Sequence, residues 1–399
     1  MRANWRPLLA ATFGLGTGYA ALSVYTPSVI APHLLEEFGW SKSEFAALGV
    51  LSLVVAFCIP FAGRLADVLG TRLAAAVGIV ALPLSFVAYG QMTGPLWQYV
   101  VIYLFQNVFC ITTTATIYTR VAVQYTQRAR GLSLAIVASG PAVTGAILGP
   151  LLNGFIEAQG WRATYHLLTG FAVVCGILTL LLLPPERRAT GAVAAPRRRA
   201  REDYPAIFRT PVFWVIIAAM LLVNLPQVLA LSQMKLLLLD NNVTGDAISL
   251  ILSAFAVGVL AGRFIAGLAL DRLPAHVVGL LCLGLPGMGL LLIASGYDSV
   301  PVLTFAVLCI GFAFGGEGDI VAYIVSHRFP VAIYSSVMGL VTTAISISAS
   351  VGAVLLSVTL DRTGRFDPFL IGCAAAVFVG SLMFLLLRDK PHDAVPVAA

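Results

Sequence analysis

Charge is what this chain has least of. Only 11% of its 399 residues are Asp, Glu, Lys or Arg, where an ordinary soluble domain carries about 25%. A water-soluble globule of this length is excluded, because too much apolar surface would face water. Lipid is therefore the solvent for most of the chain. Cysteine is scarce as well: Cys58, Cys110, Cys175, Cys282, Cys309 and Cys373 all fall inside apolar runs. Their spacing fits neither a metal site nor a disulfide framework, and they read as small apolar side chains. Catalytic motifs are missing too. There is no HExxH, no P-loop, no GxSxG in a hydrolase context and no GxGxxG after a strand. A membrane enzyme or a nucleotide-driven pump needs one of these. No enzyme activity, metal or cofactor is expected.

What the chain does have is long apolar runs. The hydrophobic fraction is 59% and the mean hydropathy is +0.94. A spanning helix needs roughly 20 mostly apolar residues. About twelve runs qualify: 8–35, 44–67, 71–92, 96–124, 130–157, 163–184, 211–238, 246–270, 275–296, 300–326, 331–360 and 366–388. An all-α integral membrane protein follows. The first run is too long for the core of a signal peptide and reads as an uncleaved span. The first, fourth, fifth, tenth and eleventh runs are over-long, which predicts tilt or helix continuing past the bilayer. The seventh is interrupted by Pro226, and the ninth contains GLPGMG at 284–289.

Basic residues set the orientation. With the N-terminus inside, the inner loops collect sixteen Arg and Lys, among them Arg64, Arg72, Arg128, Arg130, Arg187, Arg272 and Lys390. The outer loops collect only Lys42, Arg162, Arg362 and Arg365. This bias predicts that both termini are cytoplasmic. The net charge of +6 is then a topology signal, and no nucleic-acid partner is expected, because the cations are scattered over short loops. The run RRRAR at 197–201 suits either a topology determinant or contact with anionic headgroups.

The chain divides in two. Residues 185–210 are polar, basic and rich in Ala and Pro, and they join a six-span half at 1–184 to another at 211–399. GRLADVLGTR at 63–72 follows the second run and GLALDRLPAH at 267–276 follows the eighth, with Gly63 matching Gly267 and Asp67 matching Asp271 at one offset. Ser41, with Glu44, and Thr244 are placed to cap the helices that follow them, the second and eighth runs. Two repeated halves with a site between them is a transporter plan. A receptor built on such a plan would be expected to carry an added cytoplasmic domain or long tail, and neither is present in this sequence.

The loop at 63–72 resembles the signature loop of the major facilitator superfamily. Gly63, Asp67, Gly70 and Arg72 match it, while Val68 and Thr71 stand at usually basic positions. The resemblance implies the major facilitator fold and a gating role for this loop and for Gly267, Asp271 and Arg272. Asp67 would pair with an Arg or with a facing helix N-terminus when the inner side is closed. Further stretches are similar to bacterial relatives of the monocarboxylate porters and oxalate/formate exchangers: APHLLEEFGWSKSE, IYTRVAVQYTQRARGLSLAI, AGRFIAGLALDR, AYIVSHRF and IYSSVMGL. This implies a small organic carboxylate as substrate, moved with a proton or by exchange across the bacterial cytoplasmic membrane, with a monomer as the functional unit. In that family the Arg matching Arg263 contacts the substrate carboxylate. The chain departs from it at Val259, where animal monocarboxylate porters have Asp, and in lacking a charge in the eleventh run.

Ionisable residues inside spans are functional candidates, because each costs free energy unless it meets a partner or a cavity. Arg263 lies in the eighth span, and its planar fork suits a carboxylate. Glu317 and Asp319 lie in the tenth among Gly311, Gly315, Gly316 and Gly318. Two residues apart on a helix they project about 200° from each other, so only one can face a path squarely. The expectation is that one of them holds Arg263 in the empty site and takes up a proton when anionic substrate displaces it. A fixed structural ion pair is the alternative. Arg120 is placed to gate or to snorkel. Gln106, Asn107, Tyr25 and Tyr323 are candidate hydrogen-bonding partners of substrate, with interior packing as the alternative. His33 and Lys235, at corresponding outer positions, would meet incoming anions or sit at the interface. A drug/proton exporter would instead show a complete Gly-Pro motif in the fifth span and few cations in its path.

Overall fold

The computed structural model describes residues 5–40, 51–126, 129–184, 200–241, 243, 246–297 and 299–388. Every regular element among them is helical. In chain order these are α1 (Trp5–Gly16), α2 (Tyr19–Phe38), α3 (Leu51–Leu69), α4 (Thr71–Gly90), α5 (Leu96–Cys110), α6 (Ala115–Tyr125), α7 (Arg130–Leu182) and α8 (Ala200–Arg209). They continue as α9 (Pro211–Val223), α10 (Met234–Asp240), α11 (Asp246–Leu270), α12 (Ala275–Ala294), α13 (Val300–Arg328), α14 (Tyr334–Thr363) and α15 (Asp367–Met383). Among the described residues eight helices are long and apolar enough to cross a membrane, or nine if the bent pair Asp203–Arg209 and Pro211–Val223 counts as one span. Ser41, Glu44, Thr244 and most of the RRRAR run lie outside the described residues.

Two compact units form. One holds Met1–Pro205 with Val325–Ser346, the other Ala206–Ile324 with Ile347–Ala399. In the first, a core of Leu22, Ile30, Leu34, Phe86, Tyr89, Leu152, Trp161 and Leu168 lies between α2, α4, α5 and α7. In the second, Leu237, Leu238, Ile251, Leu290, Leu303, Val307, Leu370 and Val377 pack α10 to α13 against α15. Phe57, Phe61, Leu181, Val354 and Leu386 are large apolar side chains left exposed, as a chain with lipid for solvent allows.

Over-length has more than one physical cause. The run 8–35 is long because it is two helices, split at Thr17–Gly18. The run 96–124 is likewise two, split by a 3-10 turn at Ile111–Thr113. The fifth and sixth runs join into α7, whose direction changes at Gly160 (φ 79°). The tenth and eleventh runs stay unbroken as α13 and α14, of 29 and 30 residues. The ninth, despite GLPGMG, is the continuous helix α12, because its Pro286 and glycines are buried against neighbours that support the helix.

Next to the Gly160 turn, α2 and α7 are tied by an ion pair from Arg162 to Glu37 (2.6 Å), with the Trp161 indole donating to the same carboxylate at 2.5 Å. These donors hold the Glu37 carboxyl below its usual range. A lowered folded value means the contact stabilises above the unfolded value near 4.5 and is lost as pH falls through the folded one. Both side chains are more than 40% exposed, so the expected contribution is below about 1 kcal/mol. Thermal unfolding at pH 7 should show Glu37→Gln slightly less stable than the parent. The two proteins should converge at a pH well below the ordinary carboxylate range.

Candidate functional site

In unit 1 two broken helices meet at their breaks. Gly18 opens α2, and the Tyr19 N–H donates to Thr113 Oγ1 (3.1 Å) in the turn between α5 and α6. Thr112, Thr113 and Thr114 each donate to a carbonyl three residues back at 2.7–2.9 Å. The threonine run therefore satisfies the backbone that the break frees, as irregular chain within a membrane requires. In unit 2 the seventh apolar run is broken in the same way. α9 ends at Asn224, a turn covers Asn224–Pro226, and a π-helical stretch at Leu229–Gln233 leads into α10. The first and seventh runs open the two halves expected from the sequence, and in a transporter built of repeats paired interruptions of that kind point to the binding region.

Glu317 sits against the second break. The Asn224 amide donates to the Met220 carbonyl (3.0 Å), and Asn224 shares the lining of one cavity with Glu317. Glu317, Asn224, Pro226, Gln227, Pro286 and Phe314 line a cavity of about 30 Å³. Asp319 faces elsewhere, and the glycines show where. A methyl group on Gly258 would meet the Leu308 carbonyl at 2.5 Å, one on Gly262 would overlap the Phe312 carbonyl, and one on Gly316 would meet the Ala266 methyl at 2.9 Å. These pairs advance together, so α11 and α13 run parallel with their backbones in contact. Gly311 and Gly315 lie on that seam. Asp319 follows Gly315 by four residues and is turned only about 40° from it, whereas Glu317 is turned about 200° away.

Asp319 is 2% exposed and its Oδ2 has no hydrogen-bond partner among the described residues. Arg263, next to Gly262 on α11, is half-buried. Its charge acts on both Asp319 and Glu317, yet among the described residues it makes no ion pair within 4 Å. The cluster thus holds one acid beside the broken helix, one buried acid with an unused oxygen, and a guanidinium paired with neither. Tyr323 stands one turn beyond Asp319, half-buried.

The second cluster lies wholly in unit 1. Asp67, near the end of α3, pairs with Arg120 of α6, and the two side chains are 1% and 5% exposed. Arg120 is therefore buried and paired and does not snorkel. Asp67 also accepts from the backbone N–H groups of Ser335 (3.2 Å) and Ser336 (2.7 Å), in the first turn of α14, where free amides and the helix dipole favour an anion. Gly63 permits this approach, since a methyl group there would overlap the Ser335 carbonyl. Gly70 adopts φ 87° in the turn into α4, a conformation costly to other residues. Arg72 is exposed. Around this core, Tyr334 donates to Thr119 (3.1 Å), Arg130 reaches Ser326 (3.2 Å), and Arg64 pairs with Asp203 of α8 at 2.5 Å. The repeat loop ends α11, with Asp271 partly exposed and Arg272 exposed.

The remaining candidates are scattered. Gln106 is buried and donates to Ser85 (2.8 Å). Asn107 accepts from the Tyr19 hydroxyl and donates to the Tyr103 carbonyl (2.8 Å). Both belong to unit 1, whereas Arg263 belongs to unit 2. His33 is half-buried near the end of α2, and the side chains of Tyr25 and Lys235 lie outside the described residues. Sequence reasoning passed over Asn224, whose signal was its place two residues before the Pro in an apolar run. It also passed over Tyr19, Tyr89, Tyr99, Tyr103 and Tyr165, which converge on one cavity.

Broken helices in corresponding runs, a buried uncommitted charge and an ion pair locking a helix junction define a polytopic membrane carrier. The chain matches the Major Facilitator Superfamily over residues 13–239 and again over 227–399, and it belongs to that family. It is a multi-pass integral membrane transporter and not an enzyme. Human monocarboxylate transporter 11 is 25% identical over 368 residues, which are 89% of this chain and 77% of that one. A chloramphenicol resistance protein of Streptomyces lividans is 27% identical over 280 residues, 68% of each chain. The crystal structure of the E. coli fucose:proton symporter superposes with a TM-score of 0.74 over 96% of this chain and 98% of that one, at 13% identity. That last likeness is one of fold.

Proposed function

We propose that the protein moves a small organic monocarboxylate together with a proton across the bacterial cytoplasmic membrane by alternating access. In this reading twelve spans form two halves, 1–184 and 211–399, with both termini cytoplasmic and a monomer as the working unit. The observation that carries it is the uncommitted Arg263 beside the seam on which Asp319 keeps an unused carboxylate oxygen. A buried cation costs free energy until an anion meets it. Incoming carboxylate supplies that anion through two parallel N–H···O bonds. The Arg263 charge that had favoured ionised Asp319 is then neutralised, and the buried acid takes up a proton, because burial disfavours an uncompensated carboxylate. Glu317, which lines a cavity with Asn224 and Pro226, stays a structural partner of the broken helix. Return of the empty carrier requires proton loss from Asp319, and this couples the two fluxes without a metal. The relation to monocarboxylate transporter 11 supports the choice of substrate class.

The test is uptake of labelled monocarboxylates by protein in liposomes, driven by an inward proton gradient or by preloaded unlabelled acid. Asp319→Asn should abolish proton-driven accumulation and keep exchange against preloaded acid, while Glu317→Gln should keep both. Proton-driven accumulation that survives in Asp319→Asn would falsify the coupling role. A wild type that moves acid only by exchange would make the protein an organic anion exchanger.

A further inference from the structure

Between α2, α4, α5 and α7 of unit 1 lies a cavity of about 200 Å³ that the carboxylate reading does not use. Tyrosines 19, 89, 99, 103 and 165 with Gln106, Ser23 and Thr26 supply its polar atoms, and no charged side chain among the described residues lines it. Its walls are ordered aromatic pairs. Tyr89 stacks on Tyr165 with centroids 5.2 Å apart and planes at 16°, and Tyr99 on Tyr103 at 6.3 Å and 17°. Tyr89 and Tyr165 are each 3% exposed, yet neither hydroxyl makes a hydrogen bond among the described residues. Ser23 Oγ is also buried without a partner. Buried phenols ordinarily find one. Three unused hydroxyl groups at one cavity are a built set of donors with nothing assigned to them.

The lining fixes the chemistry of a ligand. An ion entering a space without a counter-charge loses its hydration with no compensation. Aromatic walls favour a flat ring by offset or edge contacts. The volume is of the right order, since an apolar cavity of about 150 Å³ accommodates benzene. Unused O–H groups ask for an acceptor oxygen on that ring. We propose that unit 1 carries a second binding site, separate from the Arg263 cluster, for an uncharged single-ring aromatic molecule bearing a hydroxyl or carbonyl oxygen. Tyr89 and Tyr165 donate to that oxygen, the paired rings hold the aromatic plane, and the Gln106 amide, anchored by Ser85, closes one wall. The site stands whatever the carboxylate site transports.

The test is equilibrium dialysis of labelled 4-methylphenol against the full chain in nanodiscs, with empty nanodiscs subtracted. One saturable site per chain is expected. In Tyr89→Phe/Tyr165→Phe, which keeps both rings, affinity should fall by about 5- to 50-fold for two lost hydrogen bonds. Ser23→Leu, which fills the cavity and leaves the tyrosines untouched, should abolish binding and serves if the double variant fails to fold. Saturation untouched by millimolar pyruvate and lactate is part of the expected result. Any of four results would overturn the proposal: uptake that rises linearly with 4-methylphenol, binding unchanged in both variants, displacement by the monocarboxylates, or stronger binding of phenyltrimethylammonium, which would make the tyrosines a cage for cations.

Discussion

Replacing Arg263 with Gln should reduce monocarboxylate uptake into proteoliposomes about 100-fold or more, under a proton gradient and in exchange alike. The size follows from losing a bidentate charged contact, in which each hydrogen bond to a charged group is worth roughly 1.5–3 kcal/mol. Arg263→Lys should recover only part of it, since an ammonium cannot offer the planar fork. Folding should be spared, because Arg263 makes no ion pair within 4 Å among the described residues, so its removal strands no buried carboxylate there. A Gln variant that folds and transports at more than a tenth of the parental rate would remove Arg263 from the substrate path.

The second large effect is expected at the α3–α14 junction. Asp67→Asn removes the carboxylate charge that faces Arg120, whose side chain is 5% exposed. Breaking a buried pair from one side costs about 3–5 kcal/mol. The Ser335 and Ser336 amides keep an acceptor of reduced charge, so most of the loss belongs to the ion pair. Thermal unfolding in detergent should show the drop, and Asp67→Asn/Arg120→Gln should regain more than half of it. A double variant no better than Asp67→Asn would mean that Asp67 acts on the α14 amides alone. The same loss loosens the junction, so with Ser335→Cys introduced in both backgrounds the Asp67→Asn protein should react with thiol probes faster than the parent.

Much of this was legible in the residues, and the limits were physical. Gly63, Asp67 and Gly70 announce a tight turn with a buried acid because no other residues serve there. Arg263 announces itself as one charge in an apolar helix. The spacing of Glu317 and Asp319 says that they face apart, but not which neighbour each meets. That depends on which glycines lie on the α11 seam, a fact of packing. The breaks at Thr17–Gly18 and Ile111–Thr113 are invisible to hydropathy, since the residues around them are as apolar as an unbroken span and the threonines satisfy their own carbonyls. Pro226 did signal its break. The tyrosine cavity was hidden most fully, because its members come from four helices and share no period.

The glycine seam between α11 and α13 also constrains descent. Gly258, Gly262, Gly311 and Gly315 meet main-chain atoms of the facing helix, so even alanine forces the helices apart and carries Arg263 away from Asp319. Duplicated copies of such a gene inherit this spacing nearly unaltered. Change that spares this spacing is expected instead at walls whose volume is free to vary, such as Ala230, Ile310 and Phe314 beside the broken helix. New carriers arising from this lineage would keep the charge and trade the shape of what accompanies it.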